Sequence, residues 1–248
     1  MGPFGKTTLF LLALFFIFKS FKGTFRLVTI SCWFFWLATV LLTSRFLLFH
    51  PNEYIHYPQY AILAVLLALC IDPDRRKVPW VRILFWTTLM GVLDEMNQYF
   101  YLCKIHGDYL DFNDMLMNLQ GAQAGLLLFY GFQQLPHNWP GLKKPFLIIQ
   151  SFILSLEGIT VLIIFALVSF SLYTGTLHIT APCKIPPGAI MELNGIKSIF
   201  LERFPHIMGS WAHSPTGHSY YILRPLEGLI LLSGLGFIYC TFILWRSK

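Results

Sequence analysis

Six apolar stretches, separated by polar segments, constrain this chain more than any other feature. They run Leu27–Phe49, Tyr54–Ile71, Val78–Leu93, Met115–Phe132, Phe146–Tyr173 and Leu226–Trp245. A helix needs about 20 apolar residues to cross roughly 30 Å of hydrocarbon. The third stretch is short unless Asp94 through Phe100 carry it past the bilayer core. Composition agrees. Only 12% of the 248 residues are charged, against about 25% in ordinary soluble domains. Such a surface lacks the charge that keeps a protein in water, and 24 Phe, 7 Trp and 11 Tyr suit lipid and its interfaces. A soluble enzyme, a disordered tail and a secreted disulfide scaffold are excluded. The sequence predicts an all-α polytopic membrane helix bundle of about six transmembrane helices.

Flanking charge orients the bundle. With the N-terminus in the cytoplasm, 12 of the 18 Lys and Arg fall on the inner side, among them Lys19, Lys22, Arg75, Arg76, Lys77, Lys143 and Lys144. The positive-inside rule then places both termini in the cytoplasm of a cell whose inner membrane holds the chain. A shorter apolar run, Thr7 to Phe18, is read as an N-terminal interfacial helix held by Lys6, Lys19 and Lys22. Residues 1–26 thus form an interfacial segment, 27–132 a four-helix membrane domain, and 133–248 a C-terminal extension with two more spans. Between those two spans lies an outer loop, 174–223. There Ile190, Leu193, Ile196, Phe200 and Phe204 recur at helical spacing, which predicts an amphipathic helix on the outer leaflet.

The net charge of +6 follows from loop lysines and arginines, and no basic stripe or nucleic-acid motif accompanies it. Lipids are the expected partners and nucleic acid is not. No Cys-x-x-Cys occurs, and the motifs imply no cofactor.

Ionisable groups near lipid are costly and are usually paired or functional. Two clusters stand out. Asp94, Glu95 and Gln98 end the third span at i, i+1 and i+4, with Gly91 leaving a notch one turn earlier. Asp114, Asn118, Gly121 and Gly125 keep i, i+4, i+7 and i+11 positions on the fourth. Part of this is ordinary helix architecture: Asp111 or Asn113 can cap the fourth helix, and Gly121-x-x-x-Gly125 is a packing face. The end of span three and the start of span four nevertheless share the outer side. His56, at the outer start of span two, lies at the same level.

Together these segments resemble the VanZ-like family of bacterial membrane proteins. That family carries an Asp-Lys-x-x-His-x-x-x-Tyr-x-x-Leu segment, represented here by Asn52, Glu53, His56, Tyr60 and Leu63. A Glu-x-x-Gln follows, here Glu95 and Gln98, then an Asp-x-x-x-Asn-x-x-Gly-x-x-x-Gly face, here Asp114, Asn118, Gly121 and Gly125. The likeness spans about residues 34–132; the Asp-Lys pair and an Arg between Gln and Asp are missing. The resemblance implies a multi-pass protein of the bacterial cytoplasmic membrane and cell envelope. It further implies association with teicoplanin resistance and handling of a lipid, a lipid-linked precursor or an amphiphilic small molecule.

Other residues point to other chemistries. Pro215-Thr216-Gly217-His218-Ser219 resembles one block of a lipid phosphatase, but no later histidine supplies a nucleophile. His206, His213 and His218 lack zinc-ligand spacing. The outer carboxylates leave open a membrane-embedded enzyme acting on a lipid headgroup or lipid-linked glycan, and a proton-coupled transporter. A divalent cation among Asp94, Glu95 and Asp114 is one way to relieve their repulsion.

Overall fold

The computed structural model describes residues 26–102, 108–131, 155–186, 191–214 and 217–246. The expected helix at 7–18 and the start of the fifth span lie outside them. Helices dominate: α1 (Arg26–Phe46), α2 (His56–Ile71), α3 (Trp80–Asn97), α4 (Phe112–Tyr130), α5 (Leu156–Tyr173) and α6 (Pro225–Arg246). A 3₁₀ turn, Pro51–Ile55, leads into α2, and a wider π-type turn, Gln98–Leu102, prolongs α3 past the expected end of its span.

Among the described residues, three segments are long and apolar enough to cross a membrane: Thr29–Phe46, Pro51–Ile71 and Leu156–Tyr173; Pro225–Thr241 is apolar but shorter. The other two helices, α3 and α4, carry more polar residues, several of them held by neighbours within the bundle. α4 is the axis of the bundle, packed against α1, α2, α3 and α6 and buried along nearly its whole length. Its amides therefore meet protein instead of hydrocarbon. Gln120 donates to Thr43 Oγ1 at 2.8 Å and accepts from the Tyr57 hydroxyl at 3.2 Å, while its backbone carbonyl accepts from Trp36 Nε1. Along α3, Arg82 near the N-terminal end pairs with the buried Glu157 at the start of α5 at 2.8 Å.

Close approach of α2 and α4 depends on two glycines. A Cβ on Gly121 would stand 2.7 Å from the Tyr57 carbonyl oxygen, and one on Gly125 would overlap the carbonyl of Ala61. Any larger residue forces these backbones apart.

The outer loop is not the expected amphipathic helix. It folds as β1 (Leu177–Thr180), β2 (Met191–Leu193), β3 (Ile196–Glu202), β4 (Trp211–His213) and β5 (Ser219–Tyr221), so the chain is not wholly α. β3 is central, parallel to β1 and antiparallel to β2; β4 and β5 form a separate hairpin. The β2–β3 connection is the two-residue turn Asn194-Gly195, with φ of 53° and 78°. Asn-Gly with both φ positive favours a tight hairpin whose twist matches its strands. Once that turn forms, period two replaces the helical period: Ser198, Phe200 and Glu202 point inward, while Ile196 and Ile199 are exposed.

The strands cap the end of the bundle where α3 stops and α4 starts. Leu110 N–H donates to the Leu201 carbonyl, Arg203 N–H donates to that of Asp108, and the Tyr99 hydroxyl donates to that of Phe200 at 2.6 Å. The Arg203 guanidinium stacks on the Tyr99 ring, 4.2 Å from its centroid.

Candidate functional site

Beneath this cap, three helices each bring a polar side chain to one point. His56 comes from the first turn of α2, Glu95 from the last turns of α3, and Asp114 and Asn118 from the first two turns of α4. Their side chains are nearly enclosed, 11% exposed for His56, 3% for Glu95 and 13% for Asp114. Gly91 makes room for the group. A Cβ there would lie 2.9 Å from Asn118 Cβ and 3.1 Å from the Tyr60 ring.

Hydrogen bonding fixes how the imidazole is used. Asn118 Nδ2 donates to Glu95 Oε1 at 3.3 Å, which turns Asn118 Oδ1 toward His56 Nδ1, 2.7 Å away. An amide oxygen only accepts, so Nδ1 carries the proton. The other nitrogen, Nε2, then faces Asp114 Oδ2 at 3.4 Å, and Glu95 Oε1 stands 3.9 Å from Nδ1. The Nε2–Oδ2 separation is long for a hydrogen bond, which spans about 2.7–3.2 Å. Asp114 Oδ1 is buried and has no hydrogen-bond partner among the described residues.

The remaining predicted residues flank this centre. Asp94 accepts from the Tyr60 hydroxyl at 3.1 Å and from Gln98 Nε2 at 3.2 Å, forming a pair beside the cluster. Gln98 therefore orients Asp94 instead of Glu95. Gly121 and Gly125 seat α2 against α4, which places His56 against Asp114.

Carboxyl groups crowd together here. Glu53 and Asp111 are within electrostatic range of Asp114, and Glu53 Oε2 accepts from Phe49 N–H at 2.8 Å. Asp111 caps α4, accepting from the amides of Asn113 and Asp114 at 2.9 and 3.2 Å. Burial, then the charges of Asp114, Glu95 and Glu53, push its carboxyl well above the usual range.

Some working residues are not conspicuous in the sequence. Asn113 clamps loop to bundle: its Nδ2 donates to the carbonyls of Leu47 and Tyr221, and its Oδ1 accepts from Leu223 N–H. Its position inside Asp-Phe-Asn-Asp suggests only a helix cap. Glu157 offered a visible signal, an acid within an otherwise apolar stretch. Gln123 is fully buried with neither polar atom partnered among the described residues, and nothing in the structure explains it.

Among the described residues, one group of His, Cys, Asp or Glu side chains is close enough to share an ion. It is His56, Glu95 and Asp114, whose ligand atoms lie within 4.8 Å of one another. His206, His213 and His218 form no such group; His213 instead meets Ser219 Oγ at 3.1 Å. No protein-family model, no curated protein and no solved structure matches this chain at a significant level.

Proposed function

We propose that this is a six-span, VanZ-like protein of the bacterial cytoplasmic membrane, with both termini in the cytoplasm. In this reading the polar cluster beneath the outer cap engages the polar end of an envelope amphiphile: a membrane lipid, a lipid-linked precursor or a lipid-tailed glycopeptide such as teicoplanin. The observation that carries it is the convergence of His56, Glu95, Asp114 and Asn118, from the three segments that bear the family resemblance, into one enclosed cluster. Burying unpaired carboxylates is costly. A chain that keeps several together at a membrane interface has a use for their charge.

Two further features fit. The same helices present Ile62, Leu66, Met90 and Leu93 outward, where an acyl tail would run. The cluster lies at the first turn of α2 and of α4, the depth of a headgroup.

The test is drug susceptibility in a Gram-positive host producing the protein at matched levels, comparing teicoplanin with vancomycin. Protection selective for teicoplanin, lost in Glu95→Gln and Asp114→Asn, is the expected result. Well-expressed wild type that gives no protection removes the glycopeptide reading. Protection kept by both variants returns the acids to helix packing.

A further inference from the structure

We infer that His56, Glu95 and Asp114 form a binding site for one divalent first-row metal ion, with Zn²⁺ the best match. The proposal rests on the polar cluster of the function above but not on any particular amphiphile meeting it.

Three features point to a cation. First, the imidazole is prepared as a ligand. Asn118 Oδ1 accepts the Nδ1 hydrogen, which leaves Nε2, facing Asp114, as the nitrogen a metal takes when it displaces a proton. Metal-binding histidines almost always donate the other ring N–H to an oxygen in this way, which fixes tautomer and ring orientation. Secondly, the spacing suits two ligands of one ion better than a hydrogen bond. Bonds of about 2.0–2.2 Å to nitrogen and oxygen in a tetrahedral site put neighbouring ligand atoms about 3.4 Å apart. His56 Nε2 and Asp114 Oδ2 are 3.4 Å apart. Glu95 is the more distant member, its Oε1 3.9 Å from His56 Nδ1, with one ligand atom of each residue within 4.8 Å of the others, and the broad terminal torsion of a glutamate lets an oxygen swing toward the Nε2 side.

Thirdly, the site has an unused ligand atom and a surplus of carboxyls. Asp114 Oδ1 is buried and unpartnered among the described residues. Two carboxyls and one imidazole meet at one enclosed point, and a divalent ion that displaces their protons is held by both carboxylates at once. Imidazole with carboxylate oxygens suits Zn²⁺ and also admits Mn²⁺. Three protein ligands leave a coordination position free, so an anionic oxygen of a headgroup can complete the shell.

Asp94 is excluded from the set. Tyr60 and Gln98 already hold its carboxylate.

The experiment uses the purified full chain in detergent, stripped with chelator. Zn²⁺ alone, then Mn²⁺ alone, is titrated by calorimetry, and retained metal is measured by plasma mass spectrometry after desalting. Wild type is expected to bind one equivalent of Zn²⁺ and to unfold at higher temperature when it is present. His56→Asn, Glu95→Gln and Asp114→Asn should each lose the stoichiometric site. Asn118→Ala should weaken affinity about 10–100-fold, as removing an orienting partner does, and Lys197→Ala, on exposed β3, should leave it unchanged.

Unfolded variants are screened out by circular dichroism. Asp114→Glu, which keeps the ligand atom, serves where the amide variant fails to fold and should retain Zn²⁺. Folded wild type that binds neither ion, or His56→Asn that binds like wild type, overturns the proposal in favour of a proton-bridged cluster. Because the readout contains no antibiotic, Zn²⁺ binding without teicoplanin protection sinks only the drug reading, and protection without Zn²⁺ binding sinks only this one.

Discussion

At the residue scale, Asp72 shows how one carboxylate can organise a turn. It follows α2 and gathers the backbone N–H groups of Arg76, Lys77 and Val78 at 2.8–3.1 Å, with the Tyr130 hydroxyl at 3.2 Å. Those amides hold a strained segment, since Arg75 and Val78 both have positive φ. Burial works to raise the Asp72 carboxyl, but the amides of Lys77, Val78 and Arg76 outweigh it and hold the group below its ordinary value. A carboxylate with a depressed folded pKa stabilises the protein above its unfolded pKa of about 3.9, and that stability is lost as pH falls through the folded value. Thermal unfolding in detergent should therefore show Asp72→Asn destabilised by about 1.5–3 kcal/mol at neutral pH, the worth of hydrogen bonds to a charged group. The variant should also lose part of the wild-type decline in acid. An unchanged acid limb would detach Asp72 from that decline. None of this was legible beforehand, because an aspartate before Pro73 reads as a helix stop whichever amides it later collects.

At the element scale, the α2–α4 contact decides whether a site exists. Gly125 meets the Ala61 backbone directly, and backbone cannot rotate away as a side chain can. Gly125→Leu should cost upwards of about 1–3 kcal/mol, the usual range for overpacking. It should also abolish stoichiometric Zn²⁺ binding by separating His56 from Asp114. A folded Gly125→Leu protein with intact metal binding would show that the two helices need not touch. The small-residue face of α4 was readable from spacing alone, because i, i+4 glycines in an apolar helix have few other uses. Residues 174–223 depart from the expected amphipathic helix. Their apolar residues fit a period near 3.6, yet Asn194-Gly195 imposes a hairpin, and a short turn overrides a weak period when two strands can pair across it.

At the scale of the whole molecule, polarity is arranged from the inside out. The amide-bearing helix is the axis, and the most apolar one, α5, lies at the periphery with most of its residues exposed. In water such a surface would aggregate; against lipid chains it is the ordinary exterior. The strand cap and the Asp72 turn lie at opposite ends, so the proposed topology makes a definite forecast. Single cysteines in a cysteine-free background should react differently with a membrane-impermeant maleimide. Lys197→Cys, on exposed β3, should label in intact cells, and Asp74→Cys only after permeabilisation. The reverse pattern would invert the protein and place the cluster on the cytoplasmic side.

The sequence by itself determined that the chain is mostly apolar helices and which of them carry polar residues. Apolar length and scarce charge leave such a chain few alternatives to helices, and the order of the runs puts His56, Glu95 and Asp114 near one end of the bundle. Tertiary structure alone decided which of those residues meet. Asp94 and Glu95 are neighbours in the chain, yet one is paired with Tyr60 and Gln98 while the other is turned toward Asn118 and His56. Helical spacing says which residues share a face, but the rotation of that face toward a partner is set by packing, here by glycines that let α2 settle on α4. The same holds for the imidazole. Its tautomer follows from an amide 62 positions away in the chain, a relation that only the folded backbone creates.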